Sequence, residues 1–185
     1  MLFTAGRPGG NGVPIEGIEP GTFSLELIHL AHAERGPDVV LTFPWSSAAS
    51  PFGVPGTDMT NVAGATGPLK GSSGNHGSMS PWTVRNTFLA WGADFKRGAT
   101  VRTPVSNVDV MPTLVALLGL EGDPALPRFD GRALREALAD GPDQEQIAVR
   151  TTTYFTAAPG GAYRAAIEMS EVGAQRYLDK SWRVR

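Results

Sequence analysis

His76 stands in the hexapeptide Ser-Ser-Gly-Asn-His-Gly (Ser72–Gly77), where residue type and setting together could do chemistry. A neutral imidazole is a common ligand for transition metals, and the flanking Gly74 and Gly77 would let the backbone approach a metal or a phosphate closely. The chain has no cysteine, which excludes disulfides, thiolate ligands and a thiol nucleophile, so any such metal must be held by His, Asp or Glu. Besides His76 the histidines are His29 and His32. Both fall beside Leu30 in a stretch that reads as a helix, with no Asp at ligand spacing, and they read as helix-surface or packing residues. Asp58, in a polar loop, could be a further ligand or the head of an Asx-turn. Asp109, two residues after Asn107, fits better at the start of a helix, where a carboxylate complements free N–H groups. Ser72, Ser73 and Ser78 lie in no Gly-x-Ser-x-Gly elbow. Lys96, Arg97 and Arg102 read as a solvated basic rim, and Trp45, Trp82 and Trp91 as core or loop anchors.

These residues need elements to hold them. Phe23, Leu25, Leu27, Ile28 and Leu30 predict a helix from Thr22 to Arg35, stopped by Gly36-Pro37. The apolar run Asp38–Phe43 then predicts a strand buried on both faces, so helix and strand would form half of a βαβ unit. Residues 44–81 are rich in Ser, Gly, Pro and Thr. A loop of that length is commonly functional, and it lies beyond the end of a buried strand, where open α/β sheets bind ligands. Thr83–Trp91 predicts a second buried strand. Asn107–Leu118 predicts a helix with Pro112 in its first turn and Gly119 after its end, and Arg132–Ala139 a short one. From Gln146 onward, three runs separated by glycine turns predict an antiparallel meander.

Composition narrows the class. The 185 residues are 41% hydrophobic, enough for a packed core, and Gly and Pro make up about a fifth of them, which points to long ordered loops. With 16 basic and 18 acidic residues the net charge is −2, so there is no electrostatic basis for binding a nucleic-acid polymer. No apolar run reaches the roughly 18–20 residues of a membrane span. Compartment and oligomeric state stay open.

Taken in order, the Gly-Asn-His-Gly-Ser segment, Arg85–Lys96 (RNTFLAWGADFK), Asn107–Thr113 (NVDVMPT), Leu117–Leu120 (LLGL) and Asp130-Gly131-Arg132 are not generic. Together they resemble the C-terminal third of the type I phosphodiesterase/nucleotide pyrophosphatase family and of its sulfatase and alkaline-phosphatase relatives. The likeness is strongest from Ser72 to Leu138, about a third of the chain. One small departure is Gly92-Ala93, where the family has Gly-Pro. The resemblance implies the C-terminal part of a three-layer α/β/α alkaline-phosphatase-like domain (1–145, with the long active-site loop 44–81), continued by an antiparallel β extension of the same domain (146–185). It also implies a hydrolase of phosphate or phosphodiester substrates with two zinc ions, in which His76 completes one metal site.

The same family places its Thr or Ser nucleophile and its remaining metal ligands, including an Asp-His pair, ahead of the matched region. No Asp-His dipeptide occurs here. The chain is therefore expected to be a C-terminal fragment, or the product of a mis-assigned start, supplying one metal ligand and no catalytic residue. The alternative is a non-catalytic α/β scaffold or interaction module that kept the shell of the fold.

Overall fold

The computed structural model describes residues 1–8, 12–49, 52–58 and 78–184, with the backbone alone for Thr57 and Asp58. Both strands and helices are present, and the chain divides into two compact units.

The first unit comprises residues 1–86, 153–169 and 178–185. Its first sheet has β1 (Leu2–Thr4) in the middle, parallel to β2 (Phe23–Ser24) and antiparallel to β3 (Val39–Leu41). The expected half βαβ unit does not form, because β3 pairs antiparallel with β1 and no long helix precedes it. In place of the helix over 22–35, one 3-10 turn spans Leu25–Ile28. Residues Thr22–Leu25 are all buried, polar Thr22 and Ser24 included, and Leu27 with them, so burial here is continuous rather than on one helical face. Ser24 caps the turn by accepting the Glu26 N–H. A Schellman pair then ends it: the His29 N–H donates to the Glu26 carbonyl and the Leu30 N–H to the Leu25 carbonyl, with His29 in the left-handed region at φ 55°. Nor is β3 buried on both faces, since Val39 and Leu41 are exposed.

Within the predicted loop 44–81, β4 (Trp45–Ala49) and β5 (Pro55–Asp58) form an antiparallel hairpin, with Trp45 opposite Asp58. Residues Ser78–Ser80 are pinned: the Met79 N–H donates to Thr42 Oγ1, and the Ser181 N–H to the Met79 carbonyl. A short helix α1 (Pro81–Val84) follows, capped by the Ser80 hydroxyl.

The core of this unit gathers Phe3, Phe23, Leu25 and Leu27 with Ala165, Ile167 and Met169. The last three lie on alternate positions of β7 (Arg164–Val172), hence on one face. Phe3 and Phe23 are register partners with ring centroids 6.1 Å apart. Burying each large apolar side chain contributes about 1.5–3 kcal/mol, which lets strands of two or three residues hold their places. The C-terminal meander is present as expected: β6 (Val149–Ala157), β7 and β8 (Gln175–Val184) form a three-stranded antiparallel sheet, with Gly173 at φ 60° in the tight turn between the last two.

The second unit comprises residues 87–152 and 170–177. The expected helix over 107–118 is present as a 3-10 turn Asn107–Asp109 running into α2 (Val110–Leu117). Gly119 at φ 66° follows in the left-handed position, and its N–H and that of Leu120 close a second Schellman pair onto Ala116 and Val115. Apart from Thr113, α2 is apolar around its circumference: Pro112 and Val115 are buried, while Met111 and Leu114 are exposed, as is the capping Leu118 that follows. The short helix expected over 132–139 is a single 3-10 turn, Arg135–Ala137. The expected strand over 83–91 does not form. Phe88, Leu89 and Trp91 are 50%, 89% and 100% exposed, so Trp91 is no anchor. A strand's regularity comes from pairing with another strand, and among the described residues this run pairs with none.

Candidate functional site

His76, Ser72 and Ser73 lie outside the described residues, whose nearest member to His76 is Ser78. Ser78 is buried. Its hydroxyl donates to Thr83 Oγ1 (3.1 Å) and accepts the Ser80 N–H (3.1 Å), so it holds the turn into α1 and is no free nucleophile. Trp45 does anchor, donating from Nε1 to the Ser181 carbonyl. Asp58 falls at the end of β5 rather than in a loop.

The two remaining histidines are surface residues, as their sequence setting implied, though in turns rather than on a helix. His32 Nδ1 accepts the backbone N–H groups of Glu34 and Arg35, each at 3.2 Å. That lone pair is already used, which argues against a metal there. Among the described residues no group of three His, Cys, Asp or Glu side chains could hold a metal ion. They therefore supply no fitted zinc centre, and no catalytic step is derived through zinc.

What the structure does assemble is a buried polar network in the second unit, built from two of the motifs singled out above. Asp109 is fully buried. Its Oδ2 accepts the Ser106 N–H at 2.8 Å, and its Oδ1 accepts the Arg132 N–H at 2.9 Å and the Tyr177 hydroxyl at 3.3 Å. The helix-start role expected for Asp109 thus extends to a tie across 23 residues, onto the Asp130-Gly131-Arg132 turn. Gly131 lets that turn come close, because a Cβ there would stand 2.2 Å from the Val108 carbonyl oxygen. Thr113 repeats the tie one helical turn later, donating to the Asp109 carbonyl (2.7 Å) and accepting the Leu134 N–H (3.0 Å).

The Arg132 side chain closes the network. Its guanidinium grips Glu136 with two nearly parallel bonds, Nη1 to Oε2 at 2.9 Å and Nη2 to Oε1 at 2.6 Å. It also donates from Nε to the Tyr177 hydroxyl (3.0 Å) and from Nη2 to the Pro104 carbonyl (3.1 Å). Glu136 is 1% exposed and accepts Thr103 Oγ1 at 2.5 Å besides.

Burial alone would push the Glu136 carboxyl up, but Arg132 and Thr103 outweigh it and hold it below its ordinary value. Arg132 is likewise held above its ordinary value against burial, chiefly by Glu136. The Tyr177 phenol is pushed up to about 12, by burial first and by the Asp109 carboxylate second. The hydrogen bonds of the Asp109 and Glu136 carboxylates, and those of four of the five guanidinium donors of Arg132, are made inside the protein, so the network ties chain to chain. Glu136 and Tyr177 carried no motif. The one signal for Glu136 was its spacing of four residues from Arg132.

The basic rim is partly tied down as well. The Lys96 ammonium donates to the Pro142 carbonyl at 2.6 Å and lies 3.5 Å from Asp143, while Arg102 donates its backbone N–H to Gln144 Oε1 at 2.7 Å. A separate small polar pocket of about 140 Å³ in the first unit is lined by Arg7, Glu16, Glu19, Thr22 and Thr156 among others. No helix among the described residues is long and apolar enough to cross a membrane. Compared with protein-family models, curated proteins and solved structures, the chain matches none.

Proposed function

We propose that this chain is the C-terminal portion of a metal-dependent hydrolase of phosphodiester or phosphate-type esters, in a three-layer α/β/α domain like that of alkaline phosphatases. In it His76 supplies one ligand to a two-zinc centre. The observation that carries the reading is the ordered series of segments from Gly74-Asn75-His76-Gly77 through Asn107–Thr113 to Asp130-Gly131-Arg132. Further support comes from Asp109 and Arg132, which stand in different segments of that series and are bonded directly to each other. The apolar circumference of α2 and the exposed run Phe88–Trp91 also suit elements that further layers cover. Two metals held together would stabilise the attacking and the leaving oxygen of a displacement at phosphorus.

The closed network favours a second reading, a non-catalytic α/β scaffold, because what it builds is a brace and not a cleft. Hydrolysis of bis-p-nitrophenyl phosphate separates the two when assayed on the protein encoded by the entire reading frame. The hydrolase reading expects turnover that is lost in His76→Ala, and the scaffold reading expects none in either protein.

A further inference from the structure

The polar pocket of about 140 Å³ in the first unit is walled by a turn whose shape its own residues set. Pro20 and Gly21 take the central positions of Glu19–Thr22, and the Thr22 N–H donates to the Glu19 carbonyl at 3.1 Å. Gly21 sits at φ 86°, as the third position of a type II turn requires. The Thr22 hydroxyl donates to the same carbonyl at 2.7 Å, and the Gly17 N–H to the Thr22 carbonyl at 3.1 Å. Gly21 packs so close to the chain just beyond β6 that a Cβ on it would stand 2.8 Å from the Ala158 nitrogen. This wall is held by the protein's own bonds. Of the charged side chains lining it, Arg7 Nη1 donates to Glu16 Oε2 at 3.2 Å. The Glu19 carboxylate is left as surplus negative charge, with no hydrogen-bond or ion-pair partner among the described residues. Across the pocket Thr156 is 8% exposed, and among the described residues its hydroxyl has no partner either. The unpartnered hydroxyl sealed from solvent is that of Tyr163, so the Thr156 hydroxyl opens onto the pocket it lines. A hydroxyl this buried ordinarily has a hydrogen-bond partner.

We propose that this pocket binds a small ammonium compound carrying a hydroxyl, of the amino-alcohol class. The Glu19 carboxylate accepts from the ammonium, and the Thr156 hydroxyl exchanges a hydrogen bond with the ligand's hydroxyl. The space is on the order of four or five liquid waters, which limits the ligand to about that many non-hydrogen atoms. An anion would meet the surplus carboxylate. A calcium ion would need about six to eight oxygen ligands, and Arg7 already sets a positive charge against Glu16.

Nuclear magnetic resonance tests this on the chain as it stands, titrated at neutral pH with ethanolamine, ethylene glycol and glycolate. Ethanolamine should shift the Gly17, Gly21 and Thr156 amides saturably, and neither the neutral nor the anionic analogue should. Glu19→Gln, a change at an exposed side chain, should weaken ethanolamine binding about tenfold or more, the loss of a charge-assisted hydrogen bond. Amides of Ile167 and Met169 in β7 should stay unchanged in that variant. Thr156→Val keeps the side chain's shape and should make ethanolamine bind no better than ethylamine, which it outbinds in the parent. Shifts that do not saturate overturn the proposal. So do equal shifts from ethylene glycol or glycolate, saturable shifts from calcium chloride in place of ethanolamine, or binding undiminished in Glu19→Gln.

Discussion

Without Arg132 the Glu136 carboxylate would be left buried and unpaired, and breaking a buried pair from one side costs about 3–5 kcal/mol. Arg132→Met should therefore lower unfolding stability by that order in urea titrations. The double variant Arg132→Met/Glu136→Leu should lose clearly less, because no orphaned charge remains. The pH dependence of the same titration carries two further signatures. Glu136 has a folded value below its ordinary 4.5, so the folded state binds fewer protons there than the unfolded one. Its stabilisation is present above about pH 4.5 and lost as pH falls through the folded value. Glu136→Gln should flatten that acid limb. Tyr177 runs the other way: the unfolded phenol ionises near 10 and the folded one near 12. The Tyr177 contribution is intact below pH 10 and falls by about 2–3 kcal/mol toward pH 12, a slope that Tyr177→Phe should reduce, with a remainder left by Tyr163, whose phenol burial also holds above its ordinary value.

Elements that carry their own stop signals could be read from sequence, and elements that depend on neighbours could not. Pro112 and Gly119 bracket α2, and the glycine turns bracket the meander strands, so both stood out in advance. The run Thr22–Arg35 holds enough apolar residues for a helix. Its stop is a left-handed His29, a conformation uncommon outside glycine, though histidine is among the residues enriched there, and the sequence carries no glycine at that point to mark it. Thr83–Trp91 has the composition of a buried strand but no partner strand among the described residues. Asp109 was legible as a helix-start residue, whereas its ties to Arg132 and Tyr177 span 23 and 68 residues and left no local mark. Gly131 tests how tightly the motif turn is held. Gly131→Ala pushes a Cβ against the Val108 backbone, which has little room to yield, and should destabilise by about 1–3 kcal/mol. Gly122→Ala has open space around its Cβ and should cost no more than the left-handed backbone demands, about 1–2 kcal/mol. Thermal unfolding of the two variants side by side checks the difference.

At the scale of the whole molecule, the described parts form a brace and a small core, and the chemistry assigned to the chain rests on His76. The most direct measurement of that assignment is the zinc content of the purified protein encoded by the entire reading frame, compared with that of its His76→Ala variant by atomic emission. The account predicts two zinc ions per chain in the parent and a fall toward one in the variant, with unfolding stability otherwise retained. Equal zinc content in the two proteins, or none in either, would contradict it.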